Sequence, residues 1–168
     1  MLATYYRSAS AIGWRSKLKS MDMPGGLEKA FGYQGDNMNL PVADLAGALP
    51  FYEGVLGFRV TARRDSPHRS ATLSRDAVQI GLAENGGDPT QDGCAFHVTG
   101  LDALFEEFQR NGLGKKLSAF DMEEHDGIRW RVFYVVAPDG LCYWFGERQE
   151  TRVNTPEGVA TISARGDG

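Results

Sequence analysis

The sequence predicts an α+β fold in which two βαβββ modules form a curled mixed sheet with a cleft. Val42 and Val98, 56 residues apart, each close a short apolar segment of strand character. After each valine, apolar residues recur at helical spacing up to a glycine, Gly57 in the first copy and Gly112 in the second. Short strand-like runs follow both glycines. This repeated order indicates two copies of one unit, in which a helix covers one face of each sheet and the other face borders the cleft.

The first module spans about residues 36–84. It opens with a short alternating strand at 37–42, and Asp44 can cap the helix that follows. The apolar face of this helix is made of residues at helical spacing: Leu45, Ala48, Leu49, Tyr52 and Leu56. Three strands are then predicted, separated by Asp, Ser and Pro residues, at 58–63, 69–74 and 77–83.

The second module spans about residues 93–148. A strand is predicted at 94–99, followed by a helix whose apolar positions are Leu101, Leu104, Phe105 and Phe108. The acidic segment Asp121–Gly127 is expected to be a mobile loop. A long strand at 128–136 and a Pro-Asp-Gly turn then lead to a last strand at 141–145.

The two ends of the chain differ in composition from this central domain. Residues 1–35 are expected to be a poorly ordered extension, and residues 1–20 contain basic and Ser residues without any acid. That composition resembles a transit peptide, although an unstructured extension is the simpler interpretation. Residues 149–168 are expected to be a flexible tail because they are rich in Gly, Pro and Thr and show no apolar periodicity.

Composition excludes several classes of function. The chain of 168 residues has a formal net charge of −4, which disfavours nucleic acid as a partner because phosphate binding needs clustered Lys and Arg. No apolar stretch is long enough to predict a membrane span. The two cysteines, Cys94 and Cys142, form neither a disulfide framework nor a zinc motif and are interpreted as free thiols. A cytoplasmic location is expected.

Several motifs resemble those of the vicinal oxygen chelate superfamily, which includes glyoxalase I, extradiol dioxygenases, fosfomycin resistance enzymes and bleomycin resistance proteins. The similarity covers about residues 36–147, with motifs at 41–45, 48–52 and 55–58 and the Pro-Asp-Gly turn at 138–140. Segments 75–78, 96–105 and 131–133 look most like the bleomycin resistance branch. The resemblance implies a dimer that buries a flat cationic drug in crevices between modules and performs no reaction.

Catalytic members of the superfamily hold a divalent metal with His and Glu side chains. The motif spacing places those ligand positions here at Asn37, Gly81 (or Ile80), Cys94 and Trp144, of which none is His or a carboxylate. Because such a centre needs about three converging ligands, no metal, no cofactor and no catalytic residue is predicted.

The histidines have unremarkable predicted environments. His97 is expected to face a helix or an interface, since strand alternation turns it away from Cys94 and Phe96. His68 and His125 are expected to be exposed. Three acidic residues beside His125 are interpreted as a solvated loop that could attract a cationic ligand at the cleft mouth: Glu123, Glu124 and Asp126.

The strongest positive signal is the aromatic content of the second module. An indole cannot donate to a metal, but it can stack on a planar or cationic ligand. The shifted position of Trp130, next to Arg131, argues against the drug-stacking role that a tryptophan has in the bleomycin resistance branch. The predicted ligand-binding residues come from both modules: Asn37, Asn39, Cys94, Phe96, Trp130, Cys142 and Trp144.

These observations predict non-catalytic binding and sequestration of a small planar or cationic, antibiotic-type molecule by a homodimer. One alternative is an enzyme of the glyoxalase, lyase, isomerase or dioxygenase type with a non-standard or absent metal site. Another is a structural partner domain whose cleft is plugged by Trp130, Trp144 and Phe96. A homodimer is expected because one pair of modules leaves sheet edges open.

Overall fold

A computed structural model describes residues 24–115 and 119–150. The first half contains β1 (Gly26–Gly32), β2 (Leu40–Pro41), α1 (Leu45–Gly54), β3 (Arg59–Arg64), β4 (Ser70–Arg75) and β5 (Val78–Ala83). A 3-10 turn at Pro89–Gln91 leads to β6 (Gly93–Thr99), α2 (Leu101–Arg110), β7 (Asp121–His125), β8 (Ile128–Val136) and β9 (Cys142–Arg148). No helix in these ranges is long and apolar enough to cross a bilayer.

The strand connections confirm the α+β fold of two βαβββ modules. One sheet has the order β2-β5-β4-β3, and the other contains β6-β9-β8-β7, so the two modules have the same topology. In each module the first strand is parallel to the last, and the remaining pairs are antiparallel. The mixed strand directions agree with the prediction, although the strands are divided between two sheets.

Strand β1 lies inside the segment 1–35 that was expected to be a poorly ordered extension. It pairs antiparallel with β6 and adds a fifth strand at the edge of the second module's sheet. Leu27 is buried, and Gly25 packs so closely on α2 that a Cβ would lie 2.5 Å from the Leu104 nitrogen. The domain therefore begins before residue 36. Residues 1–23 and most of the predicted tail, 151–168, lie outside the described ranges.

The acidic segment predicted as a mobile loop contains a strand. β7 pairs with β8 through a two-residue turn, Asp126-Gly127, in which both residues have positive φ angles of 52° and 73°. Asp-Gly is a preferred sequence for this type of hairpin because both positions need the left-handed conformation. The local turn chemistry therefore outweighs the acidic composition of the segment.

The start of the first module also differs from the prediction. β2 is only two residues long, whereas 37–42 was expected to be a strand. Asp44 occupies the position before α1 but makes no side-chain cap; the Leu45 amide instead donates to Glu84 Oε1 at 2.9 Å. The N-terminal end of this helix is thus capped from the end of β5 rather than by its own first residue.

A continuous apolar core lies between the sheets and their helices and joins the two modules. The Tyr52 hydroxyl of α1 donates to Asp139 Oδ2 at 2.9 Å and lies 2.7 Å from the Tyr143 hydroxyl of β9. Burial raises the pKa of Asp139, partly offset by its hydrogen bonds from Leu141 and Tyr52. This polar connection inside the core holds the first module's helix against the second module's last strand.

Candidate functional site

The face of the five-stranded sheet that points away from the core is called here the open face. Ala95 on β6 and Tyr134 on β8 are both paired with Trp144 on β9, so their side chains lie on the same face of the sheet. Trp130 and Val132 share this face and form with Trp144 a second, smaller apolar cluster separate from the main core. Strand alternation therefore collects bulky aromatic groups on the surface opposite α2.

A pocket of about 670 Å³ lies on the open face. Its lining is mostly aromatic, with contributions from all five strands, and consists of Phe31, Tyr33, Ala95, His97, Glu123, His125, Asp126, Ile128, Trp130, Tyr134, Cys142 and Trp144. Pockets of this size and apolar character are typical of small-molecule sites. We call it the aromatic pocket.

Three of the predicted ligand-binding residues, Trp130, Cys142 and Trp144, line the aromatic pocket. Asn37 instead borders a second pocket of about 600 Å³ beside β1, and its side-chain amide donates to the Gln79 carbonyl at 2.8 Å. Asn39 lies outside both linings, and its carbonyl oxygen accepts from Asn85 Nδ2. The structure thus separates the first module's candidates from those of the second.

Cys94 and Phe96 do not line the aromatic pocket, because they point from β6 into the core. Both are fully buried, and the Phe96 ring stacks on the Phe145 ring with centroids 5.2 Å apart. Burial raises the pKa of the Cys94 thiol to about 12. The sequence could not identify the correct face of β6, because apolar or aromatic residues occupy both sides of the strand.

His97 occupies the open face and therefore does not face a helix, which was one of the two environments expected for it. Its imidazole lies 4.8 Å from the Phe31 ring and 4.4 Å from the Trp130 ring, between centroids. Burial, with a further contribution from Lys29, lowers the pKa of His97 below its usual 6.5. The imidazole is therefore neutral at pH 7 and behaves as part of the aromatic lining.

The two indoles form the floor of the aromatic pocket. Trp130 and Trp144 are each 8% exposed, and their ring centroids lie 5.5 Å apart at 65°. The six-membered ring of Trp144 covers Gly146, where a Cβ would lie only 2.0 Å from a ring carbon. A glycine at this position is what allows the indole to lie flat on its own strand. Despite its shift relative to the resembled motif, Trp130 contributes to the floor.

Glu123 connects the polar edges of three pocket residues. Its Oε2 atom accepts from Trp144 Nε1 at 3.0 Å and lies 2.7 Å from His125 Nε2, and its Oε1 atom accepts from the Tyr134 hydroxyl at 2.7 Å. Burial opposes ionisation of Glu123, but these hydrogen bonds outweigh it and lower its pKa. Burial and the same carboxylate raise the pKa of Tyr134 to about 12. The carboxylate is thus ionised and the phenol protonated at pH 7.

The lining of the aromatic pocket contains two carboxylates. Glu123 and Asp126 belong to the lining, and neither Lys nor Arg does among the described residues. A cation is favoured in such a pocket and an anion disfavoured. His125 is exposed as predicted, but the two acids beside it belong to a β-hairpin rather than to a mobile loop.

The residues at the four positions that motif spacing predicts for a metal do not fit a divalent cation. The Asn37 amide is engaged by the Gln79 carbonyl, Gly81 has no side chain and Cys94 points into the core. The Trp144 nitrogen is a donor, which is already bound to Glu123. Within residues 24–115 and 119–150, no three His, Cys, Asp or Glu side chains are grouped so as to hold a metal.

Phe31, Tyr33 and Tyr134 line the pocket but were not among the predicted site residues. Phe31 and Tyr33 lie in the segment assigned to the extension. Leu27 and Phe31 are four residues apart yet point to opposite faces, because β1 has a register shift between Leu27 and Lys29 that simple alternation does not reveal. Tyr134 shares the face of Trp130 at a spacing of four residues on β8, which strand periodicity could have revealed.

Several solved structures share this fold. A virulence protein of Salmonella typhimurium is 20% identical, with a TM-score of 0.52 over 67% of this chain and 94% of that chain. A bleomycin resistance determinant encoded on the transposon Tn5 is 21% identical, with a TM-score of 0.51 over 67% and 96% of the two chains. A bleomycin-binding protein complexed with bleomycin is also 21% identical, with a TM-score of 0.51 over 67% and 97%.

No protein of curated function matches the sequence. The match to a family is nevertheless extensive. Residues 35–141, more than half of the chain, match the family model described as the Glyoxalase/Bleomycin resistance protein/Dioxygenase superfamily. Together with the two βαβββ modules and their shared topology, this match shows that the chain belongs to that superfamily.

Proposed function

We propose that this protein binds a flat, positively charged aromatic molecule in the aromatic pocket and sequesters it without transforming it. The observation that carries the proposal is the composition of that pocket: its lining holds the indoles of Trp130 and Trp144 and the carboxylates of Glu123 and Asp126, and it includes neither Lys nor Arg among the described residues. An antibiotic-type compound is the expected ligand, because two proteins of the same fold are a bleomycin resistance determinant and a bleomycin-binding protein.

The physical basis of binding would be stacking combined with charge attraction. An aromatic cation over an indole gains cation–π and dispersion energy, about 0.5–2 kcal/mol per cation–π contact depending on desolvation. The Glu123 carboxylate lies at the indole edge and can attract the same positive charge. A planar anion would lose this attraction and meet repulsion from both acids.

Sequestration without reaction is supported by the chemistry of the residues present. The positions that motif spacing predicts for the superfamily's metal hold Asn37, Gly81, Cys94 and Trp144, and among the described residues no group of three His, Cys, Asp or Glu side chains could hold a metal. The low pKa of Glu123 makes it a weak base, and its oxygens are already occupied by three donors. The pocket therefore favours holding a ligand over abstracting a proton from it.

A homodimer is part of the same proposal. The open face carries exposed apolar side chains, with Phe31 48%, Tyr33 44% and Val136 65% exposed. A second copy could cover this surface and enclose the ligand more completely than a single chain does. A chain that sediments as a monomer at micromolar concentration, with and without ligand, would contradict this part of the proposal.

Binding can be tested by titrating the full chain with three probes and following tryptophan fluorescence and heat. Ethidium serves as a planar cation, 1-anilinonaphthalene-8-sulfonate as a planar anion, and bleomycin as the ligand of a protein with the same fold. Saturable binding of ethidium or bleomycin, with much weaker binding of the anion, is expected. Preference for the anion, or no binding of any probe, would overturn the proposal.

Sequestration can be separated from catalysis by native mass spectrometry of protein purified without added metal. The expected spectrum shows a dimer that carries intact ligand, and the ligand mass remains unchanged after prolonged incubation. Stoichiometric Ni, Zn, Mn or Fe, or a modified ligand, would favour the enzymatic alternative instead.

A further inference from the structure

Glu123 has an unusual position for a residue on an edge strand. It lies on β7, opposite Trp130 in the β7–β8 pairing, and its side chain reaches across the open face rather than into solvent. Its three hydrogen-bonding partners come from three different strands: His125 from β7, Tyr134 from β8 and Trp144 from β9. One carboxylate thus joins side chains spread over three adjacent strands.

A carboxylate suits position 123 because its neighbours Trp144 and Tyr134 are both hydrogen-bond donors. The indole Nε1–H and the tyrosine hydroxyl both donate, and an ionised carboxylate accepts with both oxygens and donates nothing. Hydrogen bonds to a charged acceptor are worth roughly twice those between neutral groups. Glu123 can therefore satisfy both Trp144 and Tyr134 at once, with 3.0 and 2.7 Å between the bonded atoms.

The other neighbours of the Trp144 ring are packing contacts, which are less directional than a hydrogen bond. The ring lies flat over Gly146 and meets Trp130, His97 and His125 edge-on. The Nε1–H bond to Glu123 is the directional contact that sets the rotation of the indole plane. A fixed plane reduces the ordering cost of stacking a flat ligand on it.

We propose that Glu123 is a positioning residue, which holds the Trp144 indole and the Tyr134 ring in the orientation that a flat ligand requires. This inference rests on the proposed binding function and deepens it. Glu123 thus acts on the ligand by orienting the two rings, in addition to any direct attraction between its charge and a cation.

Glu123→Gln provides the test, with Glu124→Gln as the matched control. Gln keeps the shape of Glu but offers one acceptor and adds donors that oppose the Tyr134 or Trp144 donor. Glu124 is the next residue of β7, is exposed, and lies on the other face of the strand by alternation, opposite Arg129. Both variants remove one negative charge from the same hairpin.

The direct readout is the Nε1–H resonance of Trp144 in a two-dimensional ¹H–¹⁵N spectrum, assigned with Trp144→Phe. Glu123→Gln is expected to move this resonance upfield and to speed its exchange with water, because the charged acceptor is lost. Ethidium affinity should fall about tenfold, the size typical of losing a hydrogen bond to a charged group. Glu124→Gln should leave the resonance in place and change the affinity far less.

Glu123→Asp separates positioning from charge, because it keeps the carboxylate but shortens its reach. Asp is expected to restore neither the Trp144 resonance nor the wild-type affinity, and a full recovery of binding would show that charge alone matters and overturn the inference. An unmoved Trp144 resonance in Glu123→Gln overturns it too, whether or not ethidium binds. Failure of the wild-type protein to bind any probe overturns the proposed function instead, and the resonance then decides by itself whether Glu123 orients the ring.

Discussion

The two modules have strands connected in the same order, but the faces of their sheets that point away from the core carry different side chains. In the first module the outward positions of β4 and β5 are small or polar, such as Thr72, Ser74 and Gln79. In the second module the corresponding surface is built from Trp130, Tyr134 and Trp144. A shared topology therefore does not determine where a binding site forms; the size and polarity of the outward side chains do.

One pair of equivalent positions shows this difference most clearly. Leu40 is paired with Leu82 in the first module as Phe96 is with Phe145 in the second, so Gly81 corresponds to Trp144 on the last strand. At Gly81 a Cβ would lie 2.0 Å from the Met38 carbonyl oxygen, because the main chain crosses over the sheet there. The first module thus covers with its own backbone the place where the second module has an indole.

The largest expected effect is that of removing that indole. Trp144→Ala should weaken ethidium binding about 100-fold, in the range reported for truncating central aromatic anchors of binding sites. Gln79→Ala, an exposed residue on the first module's open face, is the matched control and should leave affinity unchanged. Calorimetric titration checks both, after thermal melting has shown that the variants are folded. If Gln79→Ala lost more ethidium affinity than Trp144→Ala, the binding site would lie on the first module and the proposal would be contradicted.

The next effect concerns stability and tests the close approach at Gly81. Gly81→Ala should lower the free energy of unfolding by about 1–3 kcal/mol, because the added methyl group forces the Met38 backbone away. Gly54→Ala is the control, since Gly54 is helical with open space around its Cβ position, and should be neutral or stabilise by up to about 1 kcal/mol. Urea unfolding measures both; equal effects would contradict the crowding at Gly81.

A smaller effect is expected from pH. The pKa of His97 lies below 6.5, so its imidazole is neutral at pH 7 and gains a proton only as the pH falls further. The folded protein disfavours the charged form of His97. The stability that the neutral imidazole contributes is therefore fully present above pH 6.5 and is lost as the pH falls through the lowered pKa of His97. Protonation also places a positive charge beside Trp130, so ethidium affinity should fall several-fold between pH 7 and about 5.

The source of this pH dependence can be checked by substitution. Glu123 has a lowered pKa and remains ionised over most of that window, and His125 is the other histidine in the lining of the pocket. His97→Gln should flatten the pH profile of ethidium binding, and His125→Gln should leave most of the slope. The reverse result would assign the pH dependence to His125 on the β7–β8 hairpin instead of to His97.

A last comparison concerns chemical reactivity and distinguishes the two faces of the second sheet through its thiols. Cys142 lines the aromatic pocket, whereas Cys94 is fully buried and its pKa is raised to about 12. Iodoacetamide should therefore modify Cys142 at least about tenfold faster than Cys94 in the native protein. Peptide mass spectrometry gives both rates, and ethidium should slow only the reaction of Cys142. Equal rates would mean that the core face of β6 opens readily.

Much of the fold could be predicted because the relevant signals are local. The apolar periodicity of α1 and α2 and the alternation in β8 depend only on neighbouring residues. The site was harder to predict, because it depends on which face of each strand is covered. Of the predicted ligand-binding residues, Trp130, Cys142 and Trp144 line the pocket, whereas Cys94 and Phe96 point into the core. Both faces of β6 are apolar enough to be buried.

By itself the sequence determined the two-module α+β architecture and showed that the two modules are copies of one repeated unit. These follow from residue type and spacing, which need no knowledge of the fold. Only the tertiary structure decided that β1 completes the second sheet, that His97 joins the aromatic pocket and that Glu123 links Trp144 to Tyr134. The physical reason is that each depends on the register between strands distant in sequence, which the hydrophobic pattern of a single segment does not specify.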